Sequence, residues 1–165
     1  MISKEIRIEL KTKESVSGVL SVPDNETDRL DTGIVFAHGA ANDMNNPLIR
    51  AVARGLCGKG YTCLRFNFSY REKQKKSVDP EHLLVNAWQQ ALGVIKAEPH
   101  LHRVVAAGKS LGARIAAQAC ATGEIEPDGL IFLGYPLHAP GRKEKLQDAP
   151  LYQVKTAHAF FRGHP

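Results

Sequence analysis

Short, continuous apolar runs recur along this chain with helical patterns between them, and this alternation restricts the fold more than any other feature. Gly33-Ile34-Val35-Phe36-Ala37, Val104 to Ala107 and Leu130 to Leu133 are such runs, and Tyr61 to Phe68 reads as a further strand between them. A strand covered on both faces has no solvent side, so its sequence reads as unbroken apolar residues. Asn46-Pro47 is a helix start, and Leu48, Val52 and Leu56 follow at helical spacing until Gly58 and Gly60 stop them. Asp79-Pro80 opens a second helix with the stripe Leu84, Trp88, Ala91, Leu92 and Ile95, ended by Pro99, and Leu111 to Thr122 is a third, closed by Gly123. Strand and helix alternating at this interval require right-handed crossovers. The expected fold class is therefore α/β: a mainly parallel, doubly wound sheet in a single domain spanning residues 1–165. Ile6, Ile8 and Leu10, then Val16, Gly18, Leu20 and Val22, alternate with polar residues on either side of Lys11 to Ser15. They predict an N-terminal antiparallel hairpin at one edge. A last strand is expected from Thr156 to Arg162.

Charge and composition narrow the function classes. The net charge is +5, from 22 basic and 17 acidic side chains. Much of the excess lies in Arg71-Glu72-Lys73-Gln74-Lys75-Lys76, read here as a solvated loop. No aromatic platform or recognition module accompanies it, so no specific nucleic acid is expected as a partner. Nowhere do 18 apolar residues run together, and no membrane-spanning helix is expected. The N-terminus has no apolar signal core, and Cys57, Cys63 and Cys120 show no CxxC spacing; both fit a cytoplasmic chain with reduced thiols. The histidines are scattered, and neither a P-loop nor GxGxxG occurs, so neither a metal nor a nucleotide cofactor is expected.

Ligands of parallel sheets sit beyond the carboxyl ends of the strands, which brings together the loops that start at His38, Phe68, Gly108 and Gly134. One of them carries Gly108-Lys109-Ser110-Leu111-Gly112, a G-x-S-x-G pentapeptide between a buried strand and a helix. A sharp strand-to-helix turn crowds the backbone, so glycine is needed on each side of the serine. The Ser110 hydroxyl is then held up at the sheet edge as a candidate nucleophile. A second loop begins His38-Gly39-Ala40. Its backbone N–H at Ala40, with Ala41 as the alternative, and that of Leu111 are the expected oxyanion donors. His38, Gly39, Lys109, Tyr70 and His138 are the expected substrate-binding residues. The imidazole of His38 also has a plainer reading, as a strand-end group that orders its own loop.

These residues resemble the α/β-hydrolase fold, and within it a small dienelactone-hydrolase-related group that includes a testis-expressed hydrolase-like protein and a scaffold subunit of a histone acetyltransferase complex. The resemblance rests on Phe36-Ala37-His38-Gly39-Ala40, Arg65-Phe66-Asn67-Phe68-Ser69-Tyr70, Gly108-Lys109-Ser110-Leu111-Gly112-Ala113-Arg114 and Phe132-Leu133-Gly134-Tyr135-Pro136-Leu137-His138. Ala41 and Ala113 stand where the group usually has glycine. The resemblance implies a serine hydrolase of small carboxylic esters or thioesters, with a triad acid shortly after the glycine that ends the next strand, here Gly163, and a histidine later still. The chain reaches Pro165. It is therefore read as an α/β-hydrolase fold lacking its last strand and helix, C-terminally truncated and inactive or nearly so by itself. His138 is the best placed substitute base. A non-catalytic scaffold or binding module is the alternative. A second copy of the chain, or a partner, is expected to cover the flank left open.

Overall fold

The computed structural model describes residues 1–138 and 146–161. Seven strands form one sheet in the order β1-β2-β4-β3-β5-β6-β7. They are β1 Ile2–Glu9, β2 Ser15–Val22, β3 Thr32–Ala37, β4 Thr62–Phe66, β5 Arg103–Gly108, β6 Gly129–Leu133 and β7 His158–Phe161. The hairpin β1–β2 is antiparallel and joins β4 antiparallel, whereas every pairing from β4 through β3, β5 and β6 to β7 is parallel. The doubly wound sheet with a leading hairpin is thus the fold expected from the strand-helix alternation.

Among the described residues five α-helices lie between the strands: α1 Pro47–Cys57, α2 Ser69–Glu72, α3 Glu81–Lys96, α4 Leu111–Ala121 and α5 Ala149–Gln153. The two faces bury separate cores. On one, Val35, Leu64 and Ala106 pack with α3 and α4 around Trp88 and Ile115. On the other, Ile34, Phe36 and Ala107 pack under α1. The α3 stripe is the one expected, with Leu84, Trp88, Ala91, Leu92 and Ile95 all buried. The α1 stripe differs by one position. Ile49, Ala53 and Cys57 face the sheet, and Leu48 is 46% exposed. Both stripes are apolar at a spacing of four, and the one with small residues lets the helix approach the sheet most closely.

Two further differences follow from local structure. The basic run does not begin as solvated loop: α2 takes up Arg71 and Glu72, both half-buried, and the exposed stretch starts at Lys73. The last strand is shorter than expected, His158–Phe161. On that strand Phe160 packs its ring 4.9 Å from that of Phe132, yet Phe160 and Phe161 both remain more than half exposed. Arg162, Gly163, His164 and Pro165 lie outside the described residues, and so does the proposed strand end at Gly163.

Candidate active site

The end of β5 and the start of α4 form a turn too tight for side chains. A Cβ at Gly108 would stand 2.5 Å from Gly112 C and Ala113 Cα, and one at Gly112 would stand 2.7 Å from the carbonyl oxygen of Ala37. Both flanking glycines are thus required by backbone crowding, and Gly112 is required by contact with β3 as well. Between them Ser110 adopts φ 50° and ψ −108°. A non-glycine residue in that region carries about 1–3 kcal/mol of strain. Three hydrogen bonds hold the turn there: Lys109 N–H to Ala37 O at 3.0 Å, Ser110 N–H to Gly134 O at 2.9 Å and Gly112 N–H to His38 O at 3.2 Å. Ser110 is half-exposed, as is Lys109.

The loop after β3 meets this turn. A Cβ at Gly39 would lie 3.4 Å from Ser110 Cβ, so the two crossovers touch at Ser110. The N–H groups of Ala40 and Leu111 donate no hydrogen bond to any other group among the described residues. Ala40 is instead fixed through its carbonyl, which accepts the Tyr70 hydroxyl at 2.9 Å. Met44 N–H donates to Asn67 Oδ1 at 2.8 Å, and Arg65 Nη1 donates to Met44 O at 2.8 Å. Asn67 in turn donates to Glu72, which also accepts from Ser17 and Arg7. Burial pushes the Glu72 carboxyl up, but the hydrogen bonds from Asn67, Ser17 and Arg7 outweigh it and hold the group below its ordinary range.

His38 and Tyr70 do not line the substrate side as expected. Each is fully buried beneath the loop. His38 Nε2 accepts the Phe68 N–H at 3.1 Å, which leaves Nδ1 to donate to Gly39 O at 2.8 Å. Burial, reinforced by the Arg71 charge, lowers its pKa to about 4, so the imidazole stays neutral. Tyr70 is raised to about 12, again by burial. Both groups order the loop, as the plainer reading of His38 holds. His138 lies past β6, is exposed, and bridges Leu146 through its backbone. No imidazole among the described residues hydrogen-bonds Ser110 Oγ. His158 Nδ1 donates to Thr156 O, and Asp128 accepts the Val104 N–H. Among the described residues no three His, Cys, Asp or Glu side chains gather as metal ligands would, and no helix is long and apolar enough to cross a membrane.

Strained serine, glycine-lined turn and adjoining amide loop agree with what comparison with known proteins returns. The profile of the alpha/beta hydrolase domain family matches residues 30–165. This chain belongs to that family. Solved structures share the fold across nearly its whole length. An a/b serine hydrolase without lid from Xanthomonas campestris aligns with a TM-score of 0.70 at 18% identity, over 96% of this chain and 83% of its own. An alpha-beta serine hydrolase homologue from Coxiella burnetii gives 0.77 at 20% identity, over 97% and 73%. A dienelactone hydrolase from Anabaena variabilis gives 0.74 at 20%, over 96% and 72%. Sequence reasoning found the serine turn but missed Asn67, Glu72 and Arg65 as supports of the amide loop. Arg65 and Asn67 lie in a stretch on which the resemblance rests, but nothing in it marked them as struts, and Glu72 was read as part of the basic run.

Proposed function

We propose that the chain carries the nucleophile and oxyanion-binding part of a serine hydrolase of small carboxylic esters or thioesters, close to the dienelactone-hydrolase-related group. The observation that carries this reading is the strained Ser110 set against the unpartnered N–H groups of Ala40 and Leu111. In the proposed reaction Ser110 Oγ attacks the acyl carbon and loses its proton. The carbonyl oxygen becomes an oxyanion held by the two N–H groups, each supplying roughly 3 kcal/mol. The bond to the alcohol or thiol breaks, the leaving group takes a proton, and water releases the acid from the acyl-serine. Lys109 beside the nucleophile favours an anionic acid portion.

A general base is the part the described residues do not bring to Ser110. Loss of the base from such a unit costs about a million-fold in turnover, while the amide donors alone keep about a thousand-fold over water. Ser110 is therefore expected to react with strong electrophiles and to turn over ordinary esters poorly. A fluorophosphonate probe tests this: slow labelling of the folded protein, abolished in Ser110→Ala, is the expected result. The same absent imidazole contact favours a second reading, a non-catalytic hydrolase-like module. A cooperatively melting protein that takes no label would establish it in place of the first.

A further inference from the structure

Arg50 and Arg54 stand one turn apart on α1, and Arg65 projects from β4, the strand under that helix. The three guanidinium groups line one cavity of about 690 Å³ together with Ser3 and Ser21 of the β1–β2 hairpin. The cavity shares no lining residue with the Ser110 turn or with Gly39 and Ala40.

The Met1 ammonium, which also lines the cavity, is paired with Asp24, but the three guanidinium groups have no such partner among the described residues. Arg7, Arg29, Arg103 and Arg114 each sit against a carboxylate, whereas Arg50, Arg54 and Arg65 pair with none among the described residues. Arg65 uses Nη1 on the carbonyl of Met44 at 2.8 Å and on Asn45 Oδ1 at 3.3 Å, and its remaining N–H groups have no partner among those residues. Burial, and after it the charge of Arg50, lowers the Arg65 pKa, so the two cations are close enough to repel. Ser3 Oγ and Ser21 Oγ share one hydrogen bond at 2.8 Å, which leaves one hydroxyl proton of the pair available to donate. Glu5 lies on the rim, in an adjoining hollow with Arg50 and Arg65, and forms no ion pair with either.

We propose that this cavity binds a small anion carrying a diphosphate or two phosphate groups. Guanidinium forks match phosphate oxygens in pairs, and the tetrahedral group accepts from several directions at once, which suits donors arriving from a helix and from a sheet. A singly charged carboxylate would satisfy one fork and leave two cations facing each other. The proposal does not depend on the hydrolase reading: Arg65 also braces the Met44 carbonyl, but Arg50 and Arg54, which the test removes, touch neither Ser110 nor its loop.

Calorimetric titration with inorganic pyrophosphate tests it. One-to-one binding is expected, weakened at least about tenfold in the double variant Arg50→Ala/Arg54→Ala, whose side chains are exposed, and unchanged in Arg103→Ala, a surface control. Glu5→Gln, which removes the rim carboxylate, is expected to tighten binding several-fold. Thermal melts of each variant confirm folding. Four results would overturn the assignment: no saturable binding by the unaltered protein, equal binding by the double variant, equal loss in the control, or citrate binding as tightly as pyrophosphate.

Discussion

Around Gly108 and Gly112 the backbones of β3, β5 and α4 run so close that no carbon atom can be added without displacing main chain. From Ala40 to Met44, on the other side of the same serine, the chain is held by hydrogen bonds donated by the Tyr70 hydroxyl and Arg65 and by one that Asn67 accepts, all three residues on or just after β4. One half of the site is fixed by repulsion between atoms already in contact. The other is fixed by attraction between groups that must stay paired. Steric fixation acts through neighbours in sequence and tolerates no added volume. Polar fixation draws on distant residues and tolerates a lost partner at modest cost, but it depends on protonation.

The largest effect is expected from adding volume to the crowded half. Gly108→Ala should lower stability by about 4 kcal/mol, the range reserved for such backbone collisions, as read by urea unfolding. A change below about 1 kcal/mol would show that the turn relaxes and that the contrast is weaker than drawn.

Acid should act on the polar half. The folded chain keeps His38 neutral down to about pH 4, while the unfolded chain protonates it near 6.5. The unfolded state therefore binds more protons between those values, and stability falls as pH drops through that window. The loss is on the order of 3 kcal/mol, with the full contribution present above pH 6.5. Glu72, whose carboxyl is also lowered, adds acid sensitivity of its own at lower pH. Comparing the slope with His38→Gln isolates the imidazole; equal slopes in both proteins would remove His38 from the account.

The smallest effect is expected from one strut. Tyr70→Phe removes the hydroxyl that holds the Ala40 carbonyl. About 1 kcal/mol of stability should be lost, and fluorophosphonate labelling of Ser110 should slow a few-fold because the loop donor is less well placed. Labelling at an unchanged rate would mean that the strut stabilises without positioning.

The same contrast explains what the amino-acid sequence disclosed. Gly108, Ser110 and Gly112 lie within five positions, and the crowding that demands them is local, so the turn was legible. Strands β3, β5 and β6 were legible because burial on both faces leaves them largely apolar runs, and β4 because Tyr61 to Phe68 stays mostly apolar around Arg65 and Asn67. The struts were not, since Arg65, Asn67 and Tyr70 look like any strand end until β4 is laid beside β3. Placing His38 and Tyr70 on the substrate side failed for a related reason: loop position tells where a backbone goes, not whether its side chain turns outward or folds beneath it. The α1 stripe went to Ile49, Ala53 and Cys57 because packing distance, which spacing does not encode, chose between two apolar faces.

Gly134 occupies a left-handed conformation with φ 79°, and both of its peptide groups are committed. Its carbonyl takes the amide of Ser110, and its own amide gives to the carbonyl of Phe161. A two-link tether of main-chain dipoles thus runs from β7 inward to the Ser110 turn. Ser110 hangs from the border of the sheet as well as from its centre, and any fraying of β7 slackens the anchor at residue 110 before the interior yields.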